Sequence, residues 1–383
     1  MHSRRIVGGV LLALALALSV LGVTAAAQED IRLPIIRGGG PTAPVPTVPA
    51  EMTWETTVID SEGDVGMDTS LAVDDGGWVY ISYYDWGRGD LKLAIHDGAT
   101  WSIEPVDEEG DVGTYTSLAL DGAGGTHISY HDQGEGQLRY AHRAGGPWSM
   151  SVADGAGDAG LYTSLVLDAQ GRPHISYYDM AGNDLKYAFW DGAAWVTTTV
   201  DSQGDVGYYT SLALDAQGRP HISYCDWTNR ALKYARWDGA SWEVATVDDT
   251  DSVGLYSSMA LDGAGRVHIS YYDFTNGALK YARREGGSWQ RSTIEDAVND
   301  VGYYTSLVLD DAGRPHISHY DLTNGDLRYS RWTGSEWRSE AVDTEGNVGV
   351  YSSIAVDGEG VVHISHYDLG SRDLRYSRGQ PRS

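Results

Sequence analysis

The chain has 383 residues, with 27 basic and 54 acidic side chains and a formal net charge of −27. Such a surface repels phosphate backbones and anionic lipid, which argues against nucleic acid and membrane surfaces as partners. A single cysteine, Cys225, excludes an intramolecular disulfide, so the fold must be held by packing.

Met1 to Ala27 reads as a secretory signal peptide. Arg4 and Arg5 form the charged start, IVGGVLLALALALSVLGV the apolar middle, and Ala25 and Ala27 the small residues before a cut. The apolar run also approaches bilayer-spanning length, so an uncleaved anchor is the competing reading. No cysteine follows the run, which argues against a lipoprotein. Cleavage removes two bases and no acid, taking the charge from −27 to −29. The expected location is therefore extracellular. Residues 28–53 contain GGGPTAPVPTVPA and read as a flexible or extended linker.

From Trp54 onward the chain repeats. Trp54, Trp101, Trp148, Trp195, Trp242 and Trp289 are spaced by 47 residues, and Trp337 follows after 48, with one residue inserted after Ile294. A fixed period of this size marks a stacked or radial array of units that share a core. The unit is fullest from Trp195 to Ser241. T-S-L-A-L-D (Thr210 to Asp215) predicts a first strand, and the A-Q-G-R-P turn leads to a second, H-I-S-Y-x-D (His221 to Asp226). L-K-Y-A-R-W (Leu232 to Trp237) predicts a third strand, and W-E-V-A-T-V (Trp242 to Val247) a fourth. Alternation and β-branched content fit half-buried antiparallel strands. The chain opens with a lone fourth strand, Trp54 to Ile59, and ends after three strands. The expectation is an all-β, seven-bladed β-propeller over 54–378 as a single domain, with 379–383 a tail. Its last blade would be closed by the N-terminal strand. An open β-solenoid would need capping units, and none is visible.

Residues present in every repeat are expected to build it. A histidine opens the second strand at His127, His174, His221, His268, His316 and His363, with Tyr80 in the first blade. Radial symmetry holds these histidines apart, so each reads as a hydrogen-bonded packing residue rather than a shared metal ligand. Asp85, Asp132, Asp179, Asp226, Asp273, Asp321 and Asp368 end the second strand, each followed seven residues later by a lysine or arginine. Cross-strand pairing or turn capping is the expected role. The loop opening each blade reads D-x-x-G-D-V-G in its tightest copies. Asp64, Asp111, Asp158, Asp205 and Asp300 in these loops are the calcium candidates, since carboxylate oxygens suit that ion. The spacing is not that of a known calcium loop, so an interblade hydrogen-bonding turn is preferred and no cofactor is expected.

The positions that vary at a fixed place point to function. Opening loops and second hairpin loops share one face of a propeller. That face carries Tyr84, His131, Tyr178, Tyr272, Tyr320 and Tyr367, and a variable position holding Trp86, Trp227 and Phe274. Aromatic rings beside carboxylates are what sugar-binding surfaces use, with rings stacking on pyranoses and polar groups taking hydroxyls. These nine residues are the candidate ligand site. The competing reading is that they cover the edge of the neighbouring blade.

The D-G-x-x-W turn at Asp191 to Trp195 and Asp238 to Trp242 resembles the Asp-box hairpin of BNR-repeat, sialidase-like propellers. That box is usually S/T-x-D-x-G-x-T-W, so this turn is one residue shorter and lacks the leading hydroxyl residue. Thr275 to Trp289, TNGALKYARREGGSW, is similar to the blades of bacterial and fungal propeller lectins. The sialidase resemblance implies an arginine triad, a Tyr/Glu nucleophile pair and an acid. I-R-L-P at Ile31 to Pro34 resembles the arginine motif of those enzymes but falls outside the propeller. The reading preferred is a secreted, monomeric, non-enzymatic, multivalent module that binds carbohydrate, on an extracellular glycan or surface protein. The alternatives are a sialidase-like glycoside hydrolase or polysaccharide lyase, and a protein-interaction scaffold.

Overall fold

A computed structural model describes residues 51–295 and 299–382 of the chain. The expected signal peptide, the I-R-L-P motif and nearly all of the linker lie outside the described residues. Within them the regular structure is all strand: seven four-stranded antiparallel sheets arranged as the blades of a propeller. Blades 1 to 6 span 65–107, 112–154, 159–201, 206–248, 253–295 and 301–343; blade 7 runs from 348 to 381 and takes its outer strand from Met52–Asp60.

Blade 4 shows why each stretch takes its place. Its inner strand, Val206–Leu214, and second strand, Pro220–Asp226, are buried throughout. Its third strand, Ala231–Trp237, is buried at four of its seven positions and half-buried at the rest, and its outer strand, Trp242–Asp248, exposes its middle. Apolar and small hydroxyl residues therefore face neighbouring blades, and charged residues collect outside. The inner strand begins at Val206 rather than at Thr210 because the V-G-Y-Y segment already pairs, across two register shifts. Gly207 has φ 110 and Tyr209 φ 52, which supply the bulges.

The ring closes through the chain's own ends. Met52–Asp60 pairs antiparallel with Asp373–Pro381, Met52 opposite Pro381. The terminal strands thus reach past the expected limits of Trp54 and Arg378. Met52 is buried against blade 6 beside Val308 and Leu327, and Arg331 Nη1 donates to its sulfur at 3.3 Å, which holds the extra residues in register.

Repeated side chains account for the joints between blades. Each inner-strand serine accepts from a backbone N–H of the next blade: Ser70 from Leu118, Ser211 from Met259, and, across the closure, Ser353 from Leu71, all at 3.0 Å. In every blade but the second, the repeating tryptophan lies edge-on to a third-strand tyrosine of the preceding blade, as in Trp242–Tyr187 at 5.4 Å between centroids. That tyrosine also bonds the second-strand histidine, as in Tyr234–His221 at 2.5 Å. In blades 1 to 5 the repeated base reaches first for the aspartate ending the previous blade, whereas Arg328 meets Glu295 and Arg375 lies nearer Asp368 than Asp343. Lys92 Nζ lies 2.6 Å from Asp60 and 3.5 Å from Asp85. Tyr83 donates to the same Asp60 carboxylate at 2.6 Å. Asp85, Asp132, Asp179, Asp226, Asp273, Asp321 and Asp368 meanwhile accept backbone N–H groups of their own loop, as Asp226 does from Asn229 at 2.8 Å.

Candidate functional site

With the repeat accounted for, the residues around the axis on the opening-loop face stand out. The positive-φ position of each inner strand is a tyrosine in six blades: Tyr115, Tyr162, Tyr209, Tyr256, Tyr304 and Tyr351. Successive rings touch at centroid distances of 4.5–4.9 Å, forming an arc around the axis. Asp68 takes the seventh position, and its Oδ2 accepts from the Tyr115 N–H at 2.8 Å. A left-handed backbone strains a tyrosine by roughly 1–3 kcal/mol, while aspartate adopts it more readily. The ring contacts between blades offset that strain.

A second tier sits between this arc and the loops. Tyr84, His131, Tyr178, Tyr272, Tyr320 and Tyr367 are only 1–4% exposed. They offer no flat ring to solvent; five reach the opening loop of the next blade with their hydroxyls. Tyr84 donates to Asp111 at 2.5 Å, Tyr178 to Asp205 at 2.8 Å, Tyr272 to Asp300 at 2.6 Å, Tyr320 to Asn347 at 2.6 Å and Tyr367 to Asp64 at 2.7 Å. His131 Nε2 lies 3.5 Å from Asp158. Where the tyrosine is replaced by Cys225, the loop residue is Ser252, so both members of the pair change together. Burial, reinforced by these carboxylates, holds the Tyr84 and Tyr367 hydroxyls protonated far above the ordinary phenol range. None of the five loop carboxylates clusters with two further His, Cys, Asp or Glu side chains among the described residues.

Two of these pairs gain a second tyrosine. Tyr208 donates to Asp205 at 3.2 Å and Tyr303 to Asp300 at 3.3 Å. The ring centroids of Tyr178 and Tyr208 lie 4.4 Å apart, and those of Tyr272 and Tyr303 4.2 Å. Each Tyr–Asp–Tyr cluster is flanked on its loops by one aromatic and one aliphatic side chain: Trp227 with Met180, and Phe274 with Leu322. All four are half-buried against the tyrosines. Trp227 touches Tyr208 at 5.7 Å between centroids, and Phe274 touches Tyr272 at 6.4 Å. Trp86 stands further out, 48% exposed and edge-on to Tyr84 at 5.9 Å. Tyr208 and Tyr303 were missed by the sequence reading. The available signal was the residue after the invariant glycine, which is otherwise Met67, Thr114, Leu161, Leu255 or Val350.

A separate groove lies away from this face. It has a volume of about 710 Å³ and runs along the outer strands of blades 6 and 7, lined by Met52, Trp54, Arg338 and Glu340 among others. It has no carboxylate–tyrosine cluster. On the opposite face, Arg172, Arg219, Arg266 and Arg314 are each engaged by an aspartate of their own turn, so they form no converging arginine set there.

No protein-family model matches the sequence, and no curated protein sequence matches it. Solved structures do match in fold. The SapL1 lectin, in complex with alpha methyl fucoside, is 14% identical with a TM-score of 0.53, over 74% of this chain and 98% of that one. YCF48 bound to D1 peptide is 16% identical with a TM-score of 0.55, over 88% and 98% of the two chains. The polysaccharide lyase Uly1 is 12% identical with a TM-score of 0.51, over 94% and 98%. The chain is a seven-bladed β-propeller. At these identities the likeness is one of fold.

Proposed function

We propose that this propeller is a non-enzymatic, multivalent carbohydrate-binding module that acts outside the cell as a monomer, without nucleic acid or membrane insertion and with no cofactor at its sugar sites. The observation that supports it is the duplicated Tyr178–Asp205–Tyr208 and Tyr272–Asp300–Tyr303 clusters, each beside a half-buried aromatic loop residue. A carboxylate oriented by two phenols accepts hydroxyl donors, and an adjacent ring covers the apolar face of a pyranose. Trp86 beside Tyr84 and Asp111 makes a third, simpler version. Several weak sites on one rigid ring suit a repeating polymer, because linkage raises avidity without strong single contacts. The fold is also found in the fucoside-bound SapL1 lectin.

A glycan array followed by a Trp86→Ala, Trp227→Ala, Phe274→Ala triple variant tests this reading. Each lost stack is expected to cost about 1–2 kcal/mol, close to tenfold per site, with the melting temperature nearly unchanged. Cleavage of a labelled glycan would favour the hydrolase or lyase reading instead. Silence on the array and in turnover assays would favour a protein-interaction scaffold, a use made concrete by the peptide bound to YCF48.

A further inference from the structure

Blade 2 departs from the repeat at one spot on the face opposite the candidate sugar site. In blades 3 to 6 the aspartate after the inner strand is neutralised by an arginine four residues on, with the arginine within 2.5–2.7 Å of Asp168, Asp215, Asp262 and Asp310. In blade 2 that arginine is Gly125, and an ideal Cβ there would meet Asp121 Oδ2 at 2.4 Å, so the carboxylate occupies the vacated space. The residue directly across from the second-strand histidine is Phe189, Arg236, Arg283, Arg331 or Arg378 in blades 3 to 7. In blade 2 it is His142, in register with His127.

We propose that Asp121, His127 and His142 bind a divalent transition-metal ion of the zinc class. Their ligand atoms all lie within 4.8 Å of one another. His127 Nε2 and Asp121 Oδ2 are 3.3 Å apart, and the two imidazole centroids 4.4 Å apart. Donors around a tetrahedral zinc at about 2.0–2.1 Å stand roughly 3.3 Å from each other, so Asp121 and His127 already have that spacing and His142 has to close the remaining gap. The surroundings orient two of the donors. Asp121 Oδ1 accepts from Ala123 and Gly125 N–H at 2.8 and 2.7 Å, leaving Oδ2 turned toward His127. Tyr140 Oη bonds His127 Nδ1 at 2.5 Å, which directs the Nε2 lone pair to the ion when Nδ1 carries the proton. Two imidazoles and one carboxylate suit zinc, nickel or copper rather than calcium or magnesium, which prefer all-oxygen sets. Three protein donors leave a coordination position for water or a ligand. The site is independent of the carbohydrate reading.

The test is calorimetric titration of the chelator-treated, untagged full chain with Zn²⁺, with Co²⁺ absorption as a second readout. His142→Phe installs the blade 3 residue, and Gly125→Arg installs the neutralising arginine while keeping all three donors. Phenylalanine is already accommodated at this position in blade 3, so His142→Phe should melt in chelator like the parent, whereas Gly125→Arg must first turn the Asp121 carboxylate aside. The parent is expected to take up one equivalent, with a Co²⁺ spectrum of low coordination number. His142→Phe should abolish that uptake, and Gly125→Arg should weaken it by roughly tenfold or more. No uptake by the parent, or unchanged affinity in His142→Phe, overturns the proposal.

Discussion

At the scale of single residues, the repeat glycines separate into those that only turn the chain and those that let blades meet. Gly207 and Gly218 both have positive φ, 110 and 73. A Cβ on Gly218 meets nothing within 4 Å, whereas one on Gly207 would stand 2.9 Å from the Leu185 Cα of the neighbouring blade. Backbone atoms cannot swing aside. Gly218→Ala should therefore cost about 1 kcal/mol, and Gly207→Ala roughly 3 kcal/mol or more, strain and overlap together. Urea unfolding of the two variants measures this, and equal losses would mean the close approach carries no energy. The invariance of this glycine is plain in the sequence, but its reason is not, because the contact is with a strand 22 residues earlier that only the ring brings alongside. The candidate site has the same character. Trp86, Trp227 and Phe274 could be picked out as variable aromatics. Burial of Tyr178 and Tyr272 behind them, and their sharing of Asp205 and Asp300 with Tyr208 and Tyr303, depends on how consecutive blades overlap.

At the scale of the element, the second hairpin of a blade is pinned by a buried polar chain. In blade 5, His268 bonds Tyr281 Oη at 2.5 Å through Nδ1 and faces Asp262 at 3.4 Å through Nε2, with Arg283 opposite and Arg266 beside the same carboxylate. Burial lowers the His268 pKa to about 4, against the pull of Asp262, from an ordinary value of 6.5. Between those values the unfolded chain binds a proton that the folded chain refuses, so stability must fall as pH drops from about 6.5 to about 4 and then level off. His268→Gln keeps hydrogen-bonding capacity but does not titrate. Its stability deficit at neutral pH should shrink by roughly 3 kcal/mol on approaching pH 4, from the 1.36 kcal/mol per pKa unit of linkage. Chemical unfolding at a series of pH values reads this out, and parallel curves for parent and variant would refute it. The strand order of the hairpin and the packing role of its histidine were legible because H-I-S-Y and L-K-Y alternate cleanly. The early start of the inner strand was not. V-G-Y-Y looks like loop until Gly207 and Tyr209 are seen taking positive φ to stay paired across two bulges.

At the scale of the whole molecule, the ring depends on a strand that belongs to no blade of its own in sequence order. Met52–Asp60 completes blade 7, and its last residue then reaches into blade 1, where Asp60 accepts from Tyr83 and Lys92, both at 2.6 Å. The same joint recurs between the other blades; at Asp248, burial alone would raise the carboxyl, yet bonds from Lys280, Thr250 and Tyr271 bring its pKa to about 2. Removing Met52–Asp60 would thus do two things. It would leave the third strand of blade 7, Asp373–Pro381, as a bare edge. It would also strand Lys92, 7% exposed, with Asp85 as its remaining close carboxylate. Asp60→Ala isolates the second effect, since it keeps the strand and removes only the carboxylate that Lys92, Tyr83 and the Glu62 N–H share. Losing one member of a buried pair is expected to cost about 3–5 kcal/mol. The strand deletion must cost more than that, because it adds the lost sheet edge and the burial of Met52 and Trp54 against blade 6. Both variants should still unfold in one transition, since the serine bonds couple every blade to the next. Calorimetry decides the matter. A deletion that melts like the parent would mean an open arc of blades is as stable as the closed ring, and a deletion no worse than Asp60→Ala would mean closure acts through this one carboxylate rather than through the strand.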